Sequence, residues 1–276
     1  MLKLAAFADE ISPELDEQIR GCRENGITHF ELRSVSGRNV LDFDTALRSE
    51  IKTKLAANGL AVACIGSPIG KVKINDSWED HFERFKIAVD AADFFGAHLI
   101  RIFSYYPPAD GGDIRKYRDE VLRRMRAKVD YIKGREITLV HENERHIYGE
   151  KGKECLDLMQ SINSSQLRCA FDFANFVQVG ENPLDNWPLL KPFTAHIHVK
   201  DATFKEAKAV PAGQGDGHLG EILKDAYASG YRGFLSLEPH LAAQGQFSGF
   251  SGPKLFKTAA DALRQVCREN GIPLAS

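Results

Sequence analysis

The stretch LRCAFDFANFVQVGENPLDNWPLLKPFTAHIHVKD (167–201) decides the fold. It opens on one short apolar run, LRCAFDF (167–173), and closes on another, TAHIHVKD (194–201), with a mixed, helix-compatible segment between them. Short β-branched or apolar runs separated in this way predict parallel strands joined by a crossover helix. Outward from it the same alternation runs to both ends of the chain. The further strand candidates are KLAAFAD (3–9), THFELRS (28–34), LAVACIGS (60–67), HLIRIFSYY (98–106), ITLVHEN (137–143) and GFLSLEP (233–239). Eight units in 276 residues give about 34 residues each, the size of a βα repeat with its loops. The sequence therefore predicts an α/β protein: a (β/α)₈ TIM barrel filling one domain, 1–276.

Helix punctuation supports this. Ser12-Pro13-Glu14 reads as a cap, a proline at the first helical position and an acid near the positive helix pole. Asn25-Gly26, Asn58-Gly59, Gly96, Gly134, Gly230 and Asn270-Gly271 fall after helical patterns and before strands, where left-handed C-terminal caps belong. An eighth helix over about 254–270 closes the ring. A doubly wound open sheet alternates similarly, but it usually has a glycine-rich phosphate turn after its first strand, and here the chain reads ADEISPE (8–14). No GxGxxG or GxxxxGK[ST] occurs, which removes the simplest dinucleotide and nucleotide-triphosphate readings.

Lys and Arg number 36 against 38 Asp and Glu, a net charge of −2, without a long basic run, so nucleic acid is not an expected partner. Five cysteines, Cys22, Cys64, Cys155, Cys169 and Cys267, show no C-x-x-C pairing, as expected of a reduced compartment. The opening MLKLAAFADE is too short an apolar run for a signal peptide, and no stretch approaches the length of a membrane span. The expectation is a cytoplasmic protein with no membrane partner.

Barrel enzymes place their chemistry at the C-terminal ends of the strands. Four consecutive strands end in metal-ligand types: Glu142 in LVHEN, Asp172 in FDFAN, His198 in HIHVKD and Glu238 in SLEP. A lone strand-end acid is more often a helix cap or an ion-pair partner. Four in register on adjacent strands point instead to a divalent cation held by hard oxygen and borderline nitrogen ligands. Thr138 and Val140 share a face with Glu142, and Ala170 shares one with Asp172; small or β-branched residues suit the layer beneath a polar mouth.

ITLVHEN, CAFDFAN, AHIHVKD and FLSLEPH together resemble the strand-end motifs of the xylose isomerase-like TIM-barrel superfamily of sugar epimerases, hydroxypyruvate isomerase, inosose dehydratase and endonuclease IV. The resemblance implies that Glu142, Asp172, His198 and Glu238 bind one divalent metal, manganese ahead of magnesium, cobalt or zinc. It also implies that Glu142 and Glu238 exchange protons with substrate. Such a cation stabilises the enediolate formed when a proton leaves carbon next to a carbonyl, and two carboxylates can remove and return that proton. The expected activity is isomerisation or epimerisation of a small sugar, sugar phosphate or polyol ketone. Dehydration of an inosose-type ketone and sugar binding without turnover are the alternatives. By analogy with barrel relatives the chain forms a homodimer or homotetramer.

Arg33, Ser67, Arg101, Asn175, Lys200 and His240 are candidate substrate contacts. Arg101 is read mid-strand with Phe103 and Tyr105 on its face, and His196 as a hydrogen-bonded core residue. Asn175 stands where the nuclease and several epimerases carry histidine, which leaves substrate identity open and weighs against a three-zinc nuclease. Asp216-Gly217-His218 resembles a nuclease D-x-H pair but is read chiefly as a glycine-rich loop before the seventh helix.

Overall fold

The computed structural model describes residues 1–242 and 250–275. Parallel strands form at all eight predicted places: β1 (Lys3–Ala6), β2 (His29–Leu32), β3 (Ala61–Ile65), β4 (Leu99–Ile102), β5 (Thr138–Glu142), β6 (Leu167–Asp172), β7 (Thr194–Val199) and β8 (Phe234–Leu237). Neighbours follow chain order, and the ring closes at β1, which pairs Leu4 with Leu235 of β8 and Ala5 with His29 of β2. The result is a (β/α)₈ TIM barrel.

Around it run α1 (Leu15–Glu24), α2 (Thr45–Ala57), α3 (Trp78–Phe95), α4 (Arg118–Tyr131), α5 (Gly152–Ile162), α6 (Pro183–Leu190), α7 (Leu219–Ala228) and α8 (Gly252–Glu269). No helix of the described residues is long and apolar enough to cross a membrane. Side chains satisfy the first orphan N–H groups where the sequence supplies them. Asp44 accepts from the Leu47 N–H at 2.8 Å, and Ser77 from the Asp80 N–H at 3.2 Å. At the far end of α3, Gly96 takes φ 70° as a left-handed cap, and the other predicted stop glycines also have positive φ.

Three details differ from the sequence reading. Helix α1 begins at Leu15 with Glu14 flanking it, not at Pro13, because Ser12 and Pro13 turn toward the loop after β2. There the Ser12 hydroxyl accepts from the Glu14 N–H, and the Pro13 carbonyl accepts from the Ser36 N–H. The β6–β7 crossover holds a short helix, Phe173–Gln178, ahead of α6. Strand β4 stops at Ile102. Phe103, Tyr105 and Tyr106 then donate their N–H groups to the Ile69, Gly70 and Val72 carbonyls, which pulls the chain off the barrel. Tyr105, at φ 72°, therefore leaves the face of Arg101 and packs toward α3 and α4.

Strand alternation divides the core. Side chains facing the helices join one large apolar cluster, in which Phe171 packs against Phe173, Phe176 and Trp187 with ring centroids 5.2–5.3 Å apart. Inside the barrel, Cys64, Val140 and Ala170 form a separate buried plug, with Leu99 and Ala195 against it. All five cysteines are buried and reduced.

One polar core group carries a cost. Lys128 of α4 is fully buried, donates to the Tyr105 hydroxyl at 2.7 Å, and pairs with no carboxylate among the described residues. Burial, then the Arg124 charge, pulls its pKa down to about 7. The unfolded chain binds this proton up to about pH 10, so stability should rise as pH climbs from 7 toward 10 and fall as it returns. Lys128→Met should stabilise the protein by about 1–2 kcal/mol at pH 7 and flatten that rise in urea melts at pH 7, 8 and 9. A lower midpoint in the variant at pH 7 would contradict this account.

Candidate metal centre

Glu142 and Asp172 are the last residues of β5 and β6, His198 is the penultimate residue of β7, and Glu238 follows β8 directly. Register sets Asp172 beside His198, and His198 beside Ser236. All four side chains are buried, and one donor atom from each lies within 4.8 Å of the others. The predicted quartet thus converges at the barrel mouth, over the plug of Cys64, Val140 and Ala170.

Cations compensate these acids. Arg101 Nη1 lies 3.0 Å from Glu142 Oε2 and 3.6 Å from Glu238 Oε1, and Arg33 Nη1 is 3.1 Å from Glu238 Oε1. Arg33 Nε also donates to Asp9 at 2.7 Å, and both guanidinium groups lie against the Phe7 ring, 4.6 and 4.7 Å from its centroid. Lys200 Nζ is 3.0 Å from Asp172 Oδ2 and 3.3 Å from Glu238 Oε2. His198 Nδ1 stands 3.5 Å from Glu142 Oε2 and 3.8 Å from Glu238 Oε2.

These contacts set the protonation states. Burial alone would raise the Glu142 and Glu238 pKa values. His198 and Arg101 outweigh it at Glu142, and Lys200 and His240 at Glu238, so both are held low. At Asp172 burial wins over Lys200, and the carboxyl is pushed up to about 6. Burial opposes charge on His198, but Glu31 and Glu142 raise it well above the usual imidazole value.

The set fits a divalent cation. Two of its donor atoms, His198 Nδ1 and Asp172 Oδ2, are buried and make no hydrogen bond, having only the ion pairs with Glu142 and Glu238, and with Lys200, described above. Three carboxylates with one imidazole are a hard-to-borderline ligand set suited to manganese or magnesium.

The remaining predicted residues are arranged around this quartet. Asn175 donates from Nδ2 to Glu142 Oε1 at 3.0 Å, and its backbone N–H donates to Asp172 Oδ1 at 2.7 Å. The Ser67 hydroxyl is buried and donates to the Arg101 carbonyl, bracing that strand end. His240, at φ 49°, sets Nε2 3.4 Å from Glu238 Oε1 and 3.2 Å from Glu10 Oε1. Asp216 accepts from the Phe204 N–H and His218 flanks α7 in a left-handed conformation; neither joins the quartet.

Sequence reasoning missed the supports. Asn143 exchanges two hydrogen bonds with the Asp172 backbone, both 2.9 Å, locking β5 to β6 beside the ligands. Glu10 accepts from the His240 N–H and the Ser251 hydroxyl, and Glu31 accepts from both His196 and His198. The partners of Glu31 come from β7, more than 160 residues on. Asp201, directly after Lys200, is buried and serves the backbone of its own loop. Its carboxylate accepts from the N–H groups of Ala202, Gly213, Gly215 and Gly217 at 2.8–3.0 Å and folds the glycine-rich loop around itself.

A closed eight-stranded α/β barrel defines a TIM barrel, here with three acids and a histidine at its C-terminal mouth that could hold a metal ion. The chain belongs to the xylose isomerase-like TIM barrel family, whose model matches residues 19–266. Among solved structures it is similar to a D-tagatose 3-epimerase-like protein, with TM-score 0.77, 14% identity and 98% of each chain covered. It is also similar to a xylose isomerase-like TIM barrel protein from Mycobacterium smegmatis in complex with magnesium, with TM-score 0.72, 18% identity and 98% and 97% of the two chains covered. The probable 3-DHS dehydratase AsbF from Bacillus anthracis superposes with TM-score 0.72 at 17% identity, over 95% of this chain and 98% of that one. At these identities the likeness is one of fold. A curated relative, the uncharacterized protein YihM of Escherichia coli, is 35% identical over 72 residues, 24% of this chain and 22% of its own length.

Proposed function

We propose that the protein is a divalent-metal-dependent isomerase or epimerase of a small sugar or polyol ketone, with Glu142 and Glu238 as its acid/base pair. One observation carries this reading. Two ionised glutamates from strands on opposite sides of β6 and β7 share Arg101 Nη1 and flank the same histidine nitrogen, His198 Nδ1. A divalent cation, manganese ahead of magnesium, cobalt or zinc, would be held by Glu142, Asp172, His198 and Glu238 and would supply Lewis-acid polarisation of the substrate's oxygens. The chain's own residues do the rest. His198 and Arg101 keep Glu142 ionised, Lys200 and His240 keep Glu238 ionised, so both can take a proton, and Asn175 holds the second oxygen of Glu142. Lys200 and His240 stand beside Glu238, where they can orient it and meet a substrate oxygen. The D-tagatose 3-epimerase-like neighbour supports carbohydrate chemistry for the fold, and the dehydratase neighbour supports elimination as the alternative.

The test is deuterium uptake from D₂O into a panel of ketoses by chelator-treated protein, with and without added Mn²⁺. Uptake that depends on the ion supports the proposal. A product lighter by one water assigns elimination instead, and tight sugar binding with no uptake assigns a binding barrel.

Ion affinity should depend on pH. Asp172, at about 6, and His198, raised further, must both be unprotonated to act as ligands. Mn²⁺ affinity measured by calorimetry should therefore strengthen as pH rises, by about tenfold per unit for each proton displaced. Equal affinities at pH 6 and 8 would contradict these protonation states.

A further inference from the structure

Glu31 lies in β2, one layer below the candidate ligands, and is fully buried. Its two oxygens are divided between two imidazoles of β7: Oε2 is 2.7 Å from His196 Nε2, and Oε1 is 3.2 Å from His198 Nε2. A bare ring nitrogen facing a carboxylate oxygen sets lone pair against lone pair, so both Nε2 atoms carry hydrogen and donate. That leaves Nδ1 of His198 as the nitrogen turned to the mouth, buried, without a hydrogen bond, and 3.5 and 3.8 Å from Glu142 and Glu238. His196 Nδ1 is also buried and unbonded, but it belongs to the layer below.

We infer that Glu31 is a positioning residue: it holds the Nε2–H form of His198 and so dedicates Nδ1 to the metal. The inference rests on the proposed metal site. A carboxylate behind a ligating histidine fixes ring orientation and tautomer and strengthens the donor nitrogen. Here one carboxylate does so for two histidines set edge to face, which also explains why an acid is tolerated at this depth.

Glutamine at position 31 keeps the shape but offers one acceptor and one donor. The amide N–H₂ must face one of the two Nε2 atoms and move that ring's hydrogen to Nδ1. On His196 the hydrogen would find no partner, because Nδ1 there is unbonded. On His198 it would point at Glu142 and Glu238. The amide therefore turns its donor to His198 and blocks the ligating nitrogen.

The experiment is Mn²⁺ binding by calorimetry on wild type, Glu31→Gln and Glu31→Asp, with thermal melts, and long-range ¹⁵N–¹H NMR of the histidines in Mg²⁺-loaded wild type. Glu31→Gln should weaken Mn²⁺ binding by about 10–100-fold with the fold retained. Glu31→Asp, which keeps two acceptor oxygens, should recover part of that loss. The NMR should show His198 protonated at Nε2. Equal Mn²⁺ affinity in wild type and folded Glu31→Gln, an aspartate variant weaker than the glutamine one, or His198 protonated at Nδ1 in the loaded wild type would each overturn the role of Glu31 alone. Should Glu31→Gln fail to fold, the aspartate variant and the wild-type NMR still decide. Wild-type protein that binds neither ion would overturn the metal reading and, with it, this inference.

Discussion

Glu238→Gln is expected to cut deuterium uptake into substrate by about 10²–10⁴-fold, with a similar loss for Glu142→Gln, measured at a temperature where thermal melts show each variant folded. A glutamine amide cannot take a proton at neutral pH. At position 238 it would also face Arg33, Lys200 and His240 with only one acceptor oxygen. Because both residues are also proposed ligands, the assay belongs at saturating Mn²⁺, with bound ion counted in each variant. A variant that holds its ion and exchanges at the wild-type rate would remove that glutamate from the acid/base pair. A variant that loses both ion and exchange, and recovers exchange on added Mn²⁺, would make it a ligand only.

Asp201→Ala is expected to cost about 3–5 kcal/mol in urea unfolding. Four backbone N–H groups converge on this buried carboxylate, and alanine leaves them without an acceptor. Asn should recover only part of the loss, since its amide group puts two hydrogens where two N–H donors already point. A cost below about 1 kcal/mol would mean that solvent satisfies the loop.

Legibility in the sequence followed range. The strands and helix stops depend on residues within a few positions of one another, so apolar runs and Asn-Gly pairs revealed them. The four proposed ligands were legible because the architecture puts late-strand polar residues in one place, and strand order then makes β5 to β8 neighbours. What failed to show depends on partners far along the chain. Glu31 reaches β7, Glu10 reaches Ser251, and Asn143 reaches the Asp172 backbone. Tyr105 was misread because alternation was carried past Ile102, where hydrogen bonds to the loop at 69–72 take the backbone away. Asn175, read as a candidate substrate contact, also holds Glu142 through a hydrogen bond that its place in the sequence did not reveal.

The plug of Cys64, Val140 and Ala170 gives the barrel a floor, so the mouth is a cup, not a tunnel. Whatever the cup receives must leave by the rim it entered. Under the proposed activity, incoming and outgoing molecules contend for one doorway, and accumulated product should slow turnover by simple competition with fresh substrate.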